Sequence, residues 1–241
     1  KTVLEVFENR DPRLEQTFMK PGVLNVGTTE PHRTKLNLGG YPQIKFRPLT
    51  FDQIDWGKSY TDLPIIRYAE VLLMYAEAKA ELGILTQDDV NQTINLIRQR
   101  AGMPDASLDD WLANIDPVQD ERYSNVQSAQ KGAVLEVRRE RRIELACEGF
   151  RYGDLMRWGC GERLVAPKAG MMLYTDVYTP EEIAVLKTEV GTYADGSLDV
   201  YGKRVTTPAI FESPKHYLFS LPLNEMALNP KLKPNNPGWG D

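Results

Sequence analysis

Histidine and cysteine are almost missing from this chain, with two of each in 241 residues. Two cysteines, Cys147 and Cys160, cannot build a disulfide framework, and they lack the CxxC spacing of a zinc site. They read as two inert thiols, with a single bridge between them as the alternative. His32 and His216 fall in a loop and in a strand-like stretch, so the Glu-x-x-His pair of a bundle-core metal site has no counterpart and no metal is expected. No apolar run approaches the roughly 20 residues that a membrane helix needs. No glycine-rich nucleotide loop, GxSxG elbow or HExxH pair occurs, so no catalytic residue and no cofactor is expected. Positive charge is not in excess either. With 29 Lys and Arg against 34 Asp and Glu, the net charge of −5 argues against wholesale nucleic-acid binding, which needs a surplus of cations on one face.

What remains is an ordinary globular composition, 41% hydrophobic and 26% charged, which excludes a disordered chain. It opens on Lys1 rather than Met, directly in folded-looking sequence, and is expected to be the later part of a longer protein whose targeting segment is missing. The clearest element is IIRYAEVLLMYAEAKAEL at 65–82. Ile65, Ile66, Ala69, Leu72, Leu73, Ala76 and Ala80 form one stripe at helical spacing, with Pro64 at the entry and Gly83 at the exit. A second helix at 87–101, capped by Thr86, would complete an antiparallel hairpin. Further helices are expected at 108–115 (capped by Ser107), 132–148 and 150–159. Another is expected after Thr179-Pro180-Glu181-Glu182, which supplies a cap, an N1 proline and a capping-box glutamate. YPQIKFRPL and HYLFSLP read as short strands, and residues 116–131 as irregular.

The stretch VRRERRIELACEG (137–149) holds four arginines around one glutamate. Glu136, Glu140, Glu144 and Glu148 recur every four residues and make one ridge of like charges, each pair repelling by a few tenths of a kcal/mol. Apolar residues surround the same axis, leaving no polar face wide enough for these charges. This favours an ion-pair lattice over a solvated face or an anion site, with Arg138, Arg139, Glu140, Arg141, Arg142, Glu144 and Glu148 as its members. Glu136–Arg139 and Arg141–Glu144 can pair within the helix. The rest of the ridge needs cations from outside, and Arg98, Arg100, Arg151 and Arg157 are the candidates.

In order along the chain, NRDPRLEQTF, GYPQIKF, DLPIIRYAEVLLMYAEAKAELG, INLIRQRAGMP, VRRERRIELACEGFRYGDLMRWG and YLFSLPLNEMALNPKLKPNNPGW together resemble the SusD/RagB family, from its middle region to its C-terminus. The resemblance implies a mostly α fold of tetratricopeptide-like helix pairs with long loops and a few short strands or hairpins. It implies the C-terminal portion of a SusD-like domain, a helical scaffold at 62–159 followed by a loop- and hairpin-rich part at 160–241. It also implies a lipid-anchored protein of the outer-membrane surface that binds glycans or other nutrients and closes on a SusC-like TonB-dependent transporter, without catalysis. The lipidated cysteine and much of the N-terminal half lie outside this chain, so contact with the membrane is expected only through that missing anchor.

A sugar ring offers an apolar C–H face beside dense hydroxyls, so its platform needs exposed aromatic faces next to amides, carboxylates or arginines. The loop aromatics are Trp56, Tyr60, Tyr174, Tyr178, Tyr193 and Tyr201. Trp56 and Tyr60 with Asp55 are nominated, because they share a polar loop just before the helix pair. Trp111 and Trp158 read as core. Two other classes stay open: a helical-repeat interaction module without a ligand of its own, and a glycan-active enzyme, which needs two carboxylates about 5 to 10 Å apart in a cleft.

Overall fold

Leu72, Leu73, Ala76 and Ala80 are buried because they fall on one side of a helix, α2 (Tyr68–Glu81), spaced three and four apart. In the computed structural model, which describes residues 4–24, 26–29, 39–48, 50, 57–166, 169–173, 178–202, 205, 207 and 209–240, that side packs on α7 (Lys131–Glu144). The small Ala76 and Ala80 bring the two axes close, and Ala133, Val134, Leu135 and Val137 answer from α7. Gly83 ends α2 at φ +70°. Its N–H donates to the Ala80 carbonyl and that of Ile84 to the Lys79 carbonyl, both at 3.0 Å, a Schellman closure that needs the left-handed backbone glycine adopts freely.

The start of α2 differs from the expected stripe. Arg67 takes the N-cap in extended backbone (φ −130°, ψ 155°), so the helix opens at Tyr68. Ile65, 92% exposed, and Ile66 lie outside it. The helix expected at 87–101 is two, α3 (Gln87–Gln92) and α4 (Ile94–Arg100). They part at Thr93, whose hydroxyl donates to the Asp89 carbonyl at 2.6 Å and whose backbone leaves the helical region (φ −127°, ψ −82°), as a hydroxyl competing for the ladder does. Thr86 and Asp89 close a reciprocal capping box on α3. Buried Asn95 binds both the N–H and the carbonyl of Ala106, at 2.6 and 3.2 Å, fixing the approach to α5 (Leu108–Ala113), which Ser107 caps.

Residues 116–131, expected to be irregular, contain α6 (Pro117–Arg122). Asp116 accepts from the Val118 and Gln119 N–H groups at 2.8 and 3.0 Å, and Pro117 fills the first helical position, where a missing N–H costs nothing. Near the N-terminus a short α1 (Arg13–Thr17) precedes an isolated bridge, Phe18 to Gln43. The strand expected in YPQIKFRPL is corrected to that bridge and a turn closed by Arg47 N–H on the Ile44 carbonyl at 2.9 Å.

By its contacts the chain divides into two units, residues 1–149 with 168–204, and 150–167 with 205–241. The first holds everything above together with α9 (Pro180–Glu189), where Thr179 and Glu182 cap each other. A two-stranded antiparallel sheet follows, β1 (Gly191–Thr192) and β2 (Leu198–Asp199), pairing Gly191 with Asp199 and Thr192 with Leu198. Met171, Tyr178, Val190, Leu198 and Val200 make a small core there. The second unit holds α8 (Phe150–Arg157) and α10 (Leu223–Leu228). Phe211 lies over Gly161, and the Tyr217 hydroxyl accepts from the Gly161 N–H at 2.9 Å. The strand expected in HYLFSLP is corrected to a 3-10 turn, Lys215–Tyr217, and extended chain. The carbonyls of Lys215 and Leu218 are taken by the Trp239 indole N–H at 3.2 and 2.9 Å, in place of a neighbouring strand. Among the described residues helices far outweigh the short strands, the mostly α class that the family resemblance implies.

Candidate functional site

Spacing by four puts Glu136, Glu140 and Glu144 on one line down α7, and Glu148 follows in the turn beyond its end. Cations reach this line from four separate segments. Arg13 on α1 donates to Glu140 Oε2 at 3.0 Å and to Glu144 Oε2 at 3.1 Å. Arg98 on α4 pairs with Glu140 Oε1, and Arg100 reaches both oxygens of Glu144 at 2.7 Å. Arg67, the N-cap of α2, bonds Glu144 Oε1 at 2.6 Å and grips both oxygens of Glu148 at 2.6 and 2.7 Å. Lys45 pairs with Glu148 at 2.5 Å.

The same cations end the helix. The last carbonyls of a helix have no partner within it and carry its negative pole. Lys45 Nζ donates to the carbonyls of Glu144 and Ala146 at 2.8 and 3.1 Å, and Arg67 Nη2 to that of Glu144 at 2.8 Å. This is why α7 stops at Glu144 rather than reaching 148. Toward α2, buried Arg138 pairs with Glu81 at 2.8 Å and stacks over Tyr123, and buried Arg141 stands 3.8 Å from Glu77. Arg139 pairs with Glu136 at 3.2 Å and with Asp116, the cap of α6, at 2.5 Å. Of the other outside candidates, Arg157 pairs with Asp154 at 3.0 Å, and Arg151 and Arg157 both lie over the ring of buried Trp158.

Burial alone would favour the neutral form of a charge, and at Glu148, Asp11, Asp89 and Arg13 the partners win. Burial pushes Glu148 upward, but hydrogen bonds from Arg67 and Lys45 hold its carboxyl below the usual carboxylate range. Asp11 is depressed in the same way, burial being outweighed by Arg13, and so is Asp89, by Lys79, Thr86 and Tyr75. Burial likewise works against the charge of Arg13, yet Asp11, Glu140 and Glu144 hold its guanidinium more firmly charged than in water. Glu136 is the exception, raised chiefly by burial.

A carboxylate whose folded pKa lies below its unfolded one adds stability that is complete above the unfolded pKa and is lost as the pH falls through the folded one. Glu136 has the opposite sign, its contribution disappearing as the pH rises through its folded value. Asp11, Asp89 and Glu148 outnumber Glu136, so stability should fall as the pH drops below about 5 and unfolded carboxylates begin to protonate near 4, with Glu136 alone working in the opposite direction. Urea midpoints measured at pH 7, 5, 4 and 3 check this. An equal midpoint at pH 7 and 3 would show the pairs to be energetically idle.

Arg139 and Arg142, one turn apart on α7, face outward into a cleft of about 400 Å³. Arg10, Asp11 and Arg13 line it from the α1 side, Gln119 and Arg122 from α6, and Leu14, Phe18 and Ile143 supply apolar wall. Asp11 is spent on Arg13, which takes both its oxygens at 2.9 and 2.6 Å. Among the described residues, Arg10 and Arg122 have no hydrogen-bond or ion-pair partner.

Of the nominated ligand residues, Asp55 and Trp56 lie outside the described residues, as do Tyr174 and His32. Tyr60 is described and 72% exposed. Tyr178 belongs to the small core beside the two-stranded sheet, Tyr193 bonds Asp199 at 3.2 Å, and Tyr201 is exposed. Trp111 and Trp158 are buried, as expected of core residues, and Cys147 and Cys160 are free thiols. Arg13, Lys45 and Arg67 were not singled out from sequence. Nothing local marks Arg13, Lys45 or Arg67 as a partner of α7.

The SusD family profile matches residues 1–239. Among curated proteins, the chain is 26% identical over 182 residues to SusD-like protein P2 of Formosa agariphila, covering 76% of this chain and 27% of that protein. It is 31% identical over 136 residues to SusD-like protein P38 of the same organism, covering 56% and 23%. The matched segments thus span about a quarter of the length of these relatives. No solved structure matches.

Proposed function

This chain belongs to the SusD family, and from that membership we propose that it is the C-terminal portion of a surface receptor that captures an oligosaccharide and delivers it to a SusC-like TonB-dependent transporter, without catalysis. The observation that carries this reading is the family match along nearly the whole chain. In this proposal a helical scaffold at 62–159 and a loop- and hairpin-rich part at 160–241 make up the portion present. The whole protein sits at the outer-membrane surface on a lipid anchor outside this chain.

The geometry supports a binding role in two ways. The α7 carboxylates are already engaged, Glu140 by two arginines and Glu144 by three. A carboxylate neutralised in this way is poorly placed to donate a proton or attack a sugar. We assign Arg138, Arg139, Glu140, Arg141, Arg142, Glu144 and Glu148 to the scaffold rather than to chemistry. The outer side of α2 is apolar as well, with Tyr68, Val71 and Met74 exposed. Such a face suits a protein contact, and it is the observation that favours the second reading, an interaction module without its own ligand.

Glycan binding by the full-length protein separates the two readings. Tyr60, with Asp55 and Trp56 in the same loop, is the nominated platform. Trp56→Ala with Tyr60→Ala should weaken the bound oligosaccharide about tenfold, the worth of losing stacked aromatic faces, and leave the unfolding midpoint unchanged. An unaltered Kd would remove the nomination. A full-length protein that binds its transporter but no glycan would leave the interaction module standing.

A further inference from the structure

We infer that the cleft between α1, α6 and the C-terminal half of α7 is an oxyanion-binding site, taking a carboxylate, sulfate or phosphate group with Arg10 and Arg122 as its ion-pairing residues. Three separate segments bring arginine to one concavity: Arg10 before α1, Arg122 at the end of α6, and Arg139 and Arg142 on α7. The lining holds five guanidinium groups with Arg13, against one carboxylate, Asp11.

Internal pairing removes part of this charge. Arg13 is taken by Asp11, Glu140 and Glu144, and Arg139 by Asp116 and Glu136. The one acid in the lining is thereby spent. Arg10 and Arg122 keep their charge with no partner among the described residues. Like charges gathered in a concave site repel more than they would on an open surface, because low-dielectric walls focus the field. An anion relieves that repulsion, and the planar fork of arginine matches an oxyanion in two places at once.

Size and walls narrow the ligand. About 400 Å³ is near the lower end of small-molecule sites. It suits a compact polar molecule rather than a polymer strand lying across a surface. Leu14, Phe18 and Ile143 offer an apolar wall to the carbon frame that carries the anion. The inference does not depend on the glycan reading, since it would hold for an anion borne on any small molecule.

The test is calorimetric titration of this chain at fixed ionic strength, with chloride replaced by sodium sulfate or sodium phosphate, and with trigalacturonate against neutral galactotriose. Sulfate, phosphate or trigalacturonate should bind, and R10Q/R122Q should weaken that binding about tenfold or more, the scale of lost charge-assisted bonds. R10K/R122K, which keeps charge without the fork, should fall between the two. Neither residue has a partner among the described residues and both add to the repulsion, so R10Q/R122Q should unfold at or above the wild-type midpoint. Equal binding of sulfate and trigalacturonate identifies the free anion as sufficient, whereas trigalacturonate bound well above sulfate identifies an anion carried on sugar. The inference is overturned if no oxyanion binds, if R10Q/R122Q binds like the wild type, or if galactotriose binds as well as trigalacturonate. That last result would leave the glycan reading intact, and oxyanion binding without any glycan binding would do the reverse.

Discussion

Glu144→Ala is expected to cost about 3–5 kcal/mol of stability, the range seen when one partner of a buried charge cluster is removed. Glu144 is 3% exposed and Arg13, one of its partners, 5%. Its two oxygens accept from Arg13, Arg67 and Arg100. Without the carboxylate, Arg13 keeps Asp11 and Glu140 and Arg67 keeps Glu148, so neither is stripped bare. The cluster nevertheless gains a net positive charge in a place water does not reach. At about 2–4 °C per kcal/mol for a chain of this size, the thermal midpoint should fall by about 10 °C. Glu144→Gln keeps the shape and one acceptor, so it should recover part of the loss. Arg100→Ala should cost less than about 1 kcal/mol, because that side chain is 58% exposed and screened. Urea titrations of the three variants decide the matter. If Arg100→Ala matched Glu144→Ala, the loss would be ordinary surface pairing and not an orphaned buried charge. The expected cost measures the removal of one member, not the worth of the whole cluster, which well-packed apolar residues could equal.

How much of this was legible in the sequence depends on distance along the chain. The family and the mostly helical class were, because long segments kept their order from NRDPRL to NNPGW. The α2–α7 core was partly so: Leu72, Leu73, Ala76 and Ala80 declare their face by spacing alone. The ridge of glutamates at 136, 140, 144 and 148 announced a need for outside cations, and Arg98 and Arg100 supply some of them. Arg13 and Lys45 come from 131 and 99 residues away, and no periodic pattern encodes a contact of that range. The boundary errors are local competitions. Thr93 breaks a helix because its hydroxyl takes the Asp89 carbonyl, and α7 stops early because Lys45 and Arg67 satisfy its carbonyls. α6 was encoded and overlooked, since Asp116-Pro117 is a helix start in its own right. HYLFSLP alternates like a strand, but alternation cannot supply a partner, and an indole took the carbonyls instead.

The arginine cluster at 138–142 shows the same dependence. From sequence, lattice and anion site were rival readings of one stretch. Helical geometry sends its members in different directions: Arg138 and Arg141 lie buried toward α2, while Arg139 and Arg142 line an open cleft. One helix can therefore hold a buried ion-pair cluster on one side and contribute guanidinium groups to a cleft wall on another, and the two roles respond to different substitutions.

Gly132→Ala should destabilise the chain by about 2–3 kcal/mol, near the upper range for overpacking, although alanine is by far the better helix former. Gly132 lies in the first turn of α7, where Gly→Ala would normally gain up to about 1 kcal/mol. Here a Cβ would stand 1.9 Å from the Trp111 carbonyl oxygen, 2.9 Å from its carbon and 3.3 Å from Ile115 Cγ1. The obstacle is backbone at the end of α5, so it cannot swing aside as a side-chain tip could. α5 must retreat from α7 by more than an ångström, loosening Leu108 and Trp111, both buried in their interface. Gly132→Val should cost more again, since its branched side chain demands more room in the same place. Two measurements check this: the urea midpoint of each variant, and the change in tryptophan emission that disappears when Trp111→Phe is the background. The sign alone is decisive. Propensity predicts a higher midpoint for alanine and close packing a lower one, so a raised midpoint would mean that α5 does not lie against α7 at this glycine.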